Sequence, residues 1–244
     1  MQTIAIWPYT LRKGYSIDPA EGACAMAAIS WLVHGKHSDA PECACPIITA
    51  YVIPANDKMP DDVRQRLLPY LHRISGSRSE AHQAARARIF QLSALRIFAP
   101  RALDAAGLHE HAERLRSLPS DVDMKTAATA ANAAAYAAAN AANAADAAYA
   151  ADAAYAAADA ADAAYAAAIA AANAATAAYA AANAAAYAAY AAYAADVGWD
   201  DYFAVLNQAL RAGPEGTPWS VDIVNAAEAS FISAGGVGVP CRVT

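Results

Sequence analysis

The sequence predicts an all-α protein: a helical head, then a long alanine-rich helix or helical hairpins packed in a bundle or an oligomer. Three observations predict it. Between Thr126 and Asp196, 49 of 71 residues are Ala and none is Gly or Pro, which nearly forces helix on local preference alone. The first 125 residues carry apolar positions at helical spacing, punctuated by caps and prolines, with little strand-like alternation. The tail returns to ordinary composition around one clear helical stretch. This gives three segments: a helical head over 1–125, the alanine-rich block over 126–196, and a C-terminal helix with a loose tail over 197–244. At 244 residues the chain can bury a core without disulfides or metals to staple it.

The head reads in order as follows. Asp18 fits an N-cap and Pro19 a first helical position for a helix that ends at Gly35, with Cys24, Ile29, Leu32 and Val33 on its core side. KHSDAPECACP is a turn region. A short apolar run, IITAYVI, follows and is ended by Pro54. NDKMPDD introduces a helix, VRQRLLPYLHRI, bent or ended around Pro69. After the loop SGSRS, EAHQAARARIFQLSALRIF reads as an amphipathic helix with Ile89, Phe90, Leu92 and Ile97 toward a core and its arginines toward solvent. Two short helices are expected around Gly107, and in the tail a helix from Trp199 or Asp200 to Arg211.

Within the block, the 22 residues other than Ala are eight Tyr, five Asp, five Asn, three Thr and Ile169. As one rod the block spans roughly 105 Å. Its marked positions recur at steps of three or four with a mean of about 3.3, so the stripe winds about one and a half times around a helix of 3.6 residues per turn. A two-stranded coiled-coil seam needs a mean near 3.5. The block therefore either touches different neighbours along one long helix or folds into several. Alanine permits close approach of helix axes, while Tyr149, Tyr155, Tyr165, Tyr179, Tyr187 and Tyr190 supply area and are the expected packing and interface residues. Each alanine contributes little on burial, so many neighbours or many copies are required, and a homo-oligomer or a protein partner is expected.

Net charge is −6, unevenly placed. Residues 1–120 carry 14 Lys and Arg against 11 Asp and Glu; residues 121–244 carry 3 against 12. Mutual attraction of the halves follows, and nucleic acid is not an expected partner. Arg64, Arg66, Arg73, Arg78, Arg86 and Arg88 would suit a phosphate-binding face, but acids interrupt them and aromatics do not interleave. The uncharged run 163–195 is long enough to span a bilayer, yet Asn and Thr break it and no basic flank orients it, so no membrane span is expected. The N-terminus lacks the apolar core of a signal peptide, which predicts a cytoplasmic chain with reduced thiols.

Two constellations carry possible chemistry. Cys24, His37, Cys43 and Cys45 form C-x12-H-x5-C-x-C, the ligand types zinc takes, although the usual C-x2-C pairs are absent. Alternatively Cys24, activated by a helix dipole, with His37 and Asp39 could form a cysteine-hydrolase triad. Buried thiols without a role are the simpler reading, so no catalytic residue and no cofactor is assigned, with zinc the alternative.

The stretches Glu21-Gly22-Ala23-Cys24-Ala25-Met26, Ser38-Asp39-Ala40-Pro41-Glu42-Cys43-Ala44-Cys45-Pro46, Asn56-Asp57 with Pro60-Asp61-Asp62-Val63-Arg64-Gln65, and Ala106-Gly107-Leu108 resemble an uncharacterised bacterial and phage-associated family. The resemblance covers about 17–118, implies an alanine-rich tail and brings no activity. Ala27 and Ala40 stand where that family often has Glu and His. The expectation is thus a non-enzymatic structural or interaction protein, with a thiol enzyme or zinc protein centred on Cys24 as the alternative.

Overall fold

The computed structural model describes residues 10–14, 21–105, 107–123, 126–127, 129–134 and 199–216. Those residues are helical apart from turns and one isolated bridge between Leu11 and Ala23. No helix among them is long and apolar enough to cross a membrane. The chain divides into two compact units, Met1–Glu80 with Gly213–Thr244, and Ala81–Ala212. The division falls after the Ser-Gly-Ser loop, inside the stretch expected to form one head. The alanine-rich block beyond 134, its six named tyrosines, Asp18, Pro19, Cys241 and the tail beyond 216 lie outside the described residues.

In the first unit, α1 (Ala25–His34) begins later than the Asp18–Pro19 signal suggests. Cys24 is its N-cap: the backbone there is extended, and its sulfur accepts the Ala27 N–H at 3.3 Å, satisfying one of the orphan donors of a first turn. Gly35 ends it as expected, at φ 64°, where glycine alone carries no side-chain penalty. Ile29 and Leu32 are buried, but Val33 is 42 % exposed, one position off the face that α1 turns to α2 and α4.

The apolar run becomes α2 (Pro46–Lys58) and continues through Pro54 instead of ending there. An interior proline costs roughly 3 kcal/mol. Ile47, Ile48, Tyr51, Val52 and Ala55 are all fully buried along this helix, at about 1.5–3 kcal/mol per large side chain, so burial outweighs the proline. Next come α3 (Asp61–Gln65), a 3₁₀ turn over Leu68–Tyr70 and α4 (Leu71–Ser75); the break around Pro69 is the expected one.

Residues 11–14 and 214–216 both dock on the α3–α4 stretch. The Gln65 amide donates to the Leu11 carbonyl and accepts the Leu11 N–H, each at 2.9 Å. Leu11 itself is fully buried. At the other end, Glu215 pairs with Arg73, whose guanidinium also lies 5.4 Å from the Tyr70 ring centre, and the Gly216 N–H donates to the Arg73 carbonyl at 2.9 Å.

In the second unit α5 (Gln83–Ser93), a π-helical turn (Ala94–Phe98) and α6 (Ala99–Ala105) form one unbroken helical run. Pro100 explains the π turn, because its ring collides with the carbonyl four residues back and a wider turn relieves the clash. The turn also rotates the buried face. Phe90 is buried as expected, but Ile89, Leu92 and Ile97 are only half-buried, while Arg86, Ala87, Gln91, Ser93, Leu95 and Phe98 lie inside.

Gly107, at φ 76°, then turns the chain into α7 (His109–Arg116), which packs on α6. Asp104 staples that corner by pairing with Arg116 and with His109, the latter at 3.0 Å. Burial alone would raise its carboxyl, but these two partners hold it below the ordinary range. The last described helix, α8 (Asp200–Arg211), packs on α5 and buries Tyr202, Val205, Leu206 and Ala209, with Tyr202 edge-on to Trp199 and Phe203.

Candidate functional site

Position, not reactivity, is what α1 confers on Cys24. As N-cap it sits where the chain leaves Gly22 in a left-handed conformation, φ 101°. The turn after α1 folds back so that the Cys24 thiol donates to Asp39 Oδ1 at 3.4 Å, and the same oxygen lies 3.7 Å from His37 Nε2. The three residues that sequence spacing singles out for a triad are therefore adjacent, but in a different order. A cysteine hydrolase places the imidazole between thiol and carboxylate; here the carboxylate oxygen stands between thiol and imidazole.

The electrostatics match that order. Burial raises the Cys24 thiol from 9.0 to about 12; hydrogen bonds from the Ala27 and Met26 N–H groups oppose this, and Asp39 adds to it. At neutral pH the thiol therefore stays protonated. The helix N-terminus does lower the value, as expected, but desolvation is the larger effect. Chemically, this arrangement makes a buried thiol donor that fastens the 36–40 turn to the start of α1.

Cys43 and Cys45 serve the turn before α2. Cys45 is fully buried at the N-cap of α2, and its N–H donates to Ser77 Oγ at 2.9 Å, which in turn donates to the Ile74 carbonyl at 2.7 Å. The Cys43 carbonyl accepts the Arg78 N–H at 3.2 Å, and burial pushes the Cys43 thiol up. Among the described residues no three His, Cys, Asp or Glu side chains converge in a way that could hold a metal ion.

The arginines are divided between the two units and engaged with backbone carbonyls. Arg64 is buried and donates to the Asn56 carbonyl at 2.6 Å and to the Met59 carbonyl, while pairing with Asp61. Arg78 donates to the Glu42 carbonyl at 3.2 Å. Arg86, fully buried, donates to the Ala209 carbonyl in the last turn of α8 at 3.0 Å. Arg88 reaches the Ser120 and Val122 carbonyls, both at 2.9 Å. Arg66 and Arg78 are exposed. Guanidinium groups at carbonyl-rich helix ends are favourably placed for the helix dipole, so Arg64 and Arg86 act as struts at the ends of α2 and α8.

Two groups missed by sequence reasoning stand out. Asn56 is buried: its carbonyl oxygen accepts the Ala25 N–H at 3.2 Å and its amide donates to the Arg12 carbonyl at 3.0 Å and to Asp57 at 3.2 Å. With Gln65, and with Asp57 accepting the Gly14 N–H at 3.0 Å, it binds residues 11–14 to α1 and α3. Asp123 is the other. It accepts the Thr126 N–H at 2.9 Å and the Thr126 hydroxyl at 2.6 Å, an N-cap for the helical residues 126–127 and 129–134 that open the alanine block. The Asp-x-x-Thr spacing ahead of a long helical run was the available signal.

In those opening turns Ala127, Ala131 and Ala134 are buried, at 0 %, 0 % and 1 % exposure. Thr126, Thr129 and Ala133 remain exposed about a third of a turn away.

No family model, no curated protein and no solved structure matches this chain. The resemblance described above therefore stands on its quoted residues alone. Several of them, namely Cys24, Asp39, Asn56, Asp57, Asp61, Arg64 and Gln65, meet in the hydrogen-bond network of the first unit.

Proposed function

We propose that this is a structural or interaction protein without catalytic chemistry of its own, assembling through its alanine-rich helices as a homo-oligomer or on a protein partner. The observation that carries this reading is the buried stripe Ala127, Ala131, Ala134. Positions four and three apart fall on one side of a helix, so the block begins by packing a face made only of methyl groups. Each such methyl contributes on the order of 0.8 kcal/mol. A block of 49 alanines needs close neighbours along its length for that sum to matter, and further copies of the same chain supply them. The second unit supports the start of the block: Arg88 holds the 120–122 turn and Asp123 caps the helix that leaves it.

The raised Cys24 thiol supports the non-enzymatic reading, since a nucleophilic cysteine needs an accessible thiolate. A cytoplasmic setting suits the free thiols of Cys24, Cys43 and Cys45.

The test is the solution mass of the full chain by light scattering, with helicity by circular dichroism. The reading predicts a multiple of the 25.2 kDa chain mass and strongly helical spectra. A 25.2 kDa particle at every concentration with weak helicity overturns it.

A further inference from the structure

An open groove of about 290 Å³ runs between the end of α7 and the first turns of the alanine block, lined by Arg114, Leu118, Thr126, Thr129, Ala130 and Ala133. Its floor is the outer face of the helix whose other face is the buried alanine stripe. Threonine and alanine there leave room for a second helix to approach closely. Arg114 sets the groove's polarity. Among the described residues, every other arginine of the run from α5 to α7 is engaged: Arg86, Arg88 and Arg96 on carbonyls, Arg101 with Asp201, and Arg116 with Asp104. Arg114 is exposed and, among the described residues, makes no side-chain hydrogen bond or ion pair. Of the nearby acids, Asp123 is engaged with Thr126 and Glu113 lies 4.0 Å from Arg116, while Glu110 stands one turn before Arg114 on α7.

We propose that this groove is the docking site for the acidic stretch 146–162 of the alanine-rich block of a second copy of this chain. That stretch carries Asp146, Asp152, Asp159 and Asp162, no Lys or Arg, and otherwise only Ala with Tyr149 and Tyr155. It is the concentration of negative charge in the block and is small enough, residue for residue, to lie against Thr129, Ala130 and Ala133. Arg114 receives an aspartate, Leu118 packs against a tyrosine ring, and the alanines meet. The inference rests on the assembly reading above and names its interface.

The experiment measures the concentration dependence of mass by light scattering for the full chain, for Arg114→Glu, and for Arg114→Glu combined with Asp152→Lys and Asp159→Lys, with circular dichroism confirming fold. Arg114 is exposed, so the single variant keeps its helices. The expected result is an assembly whose dissociation constant rises roughly three- to tenfold in Arg114→Glu and is restored in the triple variant. An assembled wild type whose mass is indifferent to Arg114→Glu overturns the groove and leaves the assembly reading intact. Weakening without restoration overturns the named occupant. A wild type that is monomeric throughout overturns the groove as a self-docking site, and one that is also weakly helical overturns the assembly reading as well.

Discussion

Gln65 pairs with Leu11 as a neighbouring strand would, its side-chain amide taking both the N–H and the carbonyl of that residue at 2.9 Å. A single side chain thus adds a second strand-like partner to a segment whose backbone bridge, among the described residues, is to Ala23 alone. Gln65→Leu keeps the volume and removes both bonds, leaving the buried Leu11 N–H without its acceptor. The expected loss is about 1–3 kcal/mol of stability, measured by urea unfolding.

Alkaline pH weakens the first unit through Cys24. Its folded value lies above its ordinary one, about 12 against 9.0, so the stabilisation is complete below pH 9 and drains away as pH rises toward 12, at up to about 1.4 kcal/mol per pH unit. Cys24→Ser retains a capping side chain and a donor to Asp39, and it abolishes this dependence. Unfolding midpoints at pH 7 and pH 10 distinguish the two proteins. At pH 7 the native Cys24 resists iodoacetamide, and it reacts once urea exposes it.

Burial of Arg86 makes it the most consequential arginine of the second unit. Arg86→Ala removes a fully buried guanidinium and leaves the Ala209 carbonyl short of a donor, with an expected cost of about 1–3 kcal/mol. Arg114→Ala, on an exposed side chain, costs under about 0.5 kcal/mol. Thermal denaturation of the two variants in parallel checks the contrast.

Removing the Asp123 carboxylate uncaps the alanine block. Asp123→Ala lowers the stability of its first turns by about 0.5–2 kcal/mol, while Asp123→Ser retains most of it. The readout is amide exchange at Ala127 and at 129–134, which quickens in the alanine variant.

Much of the helical layout is legible in the sequence because it is written in local terms. Gly35, Gly107 and Pro69 mark stops and bends whose cause is backbone geometry, and each falls where expected. Pro54 misleads, since its local cost is outweighed by burial of Ile47, Ile48, Tyr51 and Val52, which no local rule contains. Arg86 misleads similarly: a charge reads as a solvent-facing residue until the carbonyls at the end of α8 give it a reason to be inside. At the site, proximity of Cys24, His37 and Asp39 was legible because one helix and one turn separate them. The order in which they touch, and the desolvation that raises the thiol, depend on packing with α2 and α4 and are not encoded in spacing.

The central claim is that the alanine-rich block is a helix because it lies against other protein. Amide hydrogen exchange of the full chain at neutral pH, read across 126–196, tests it most directly. The account predicts slow exchange that begins at Ala127 and continues through the block, and that speeds up on dilution. Exchange at the rate of an unstructured peptide beyond the opening turns at every concentration would contradict it.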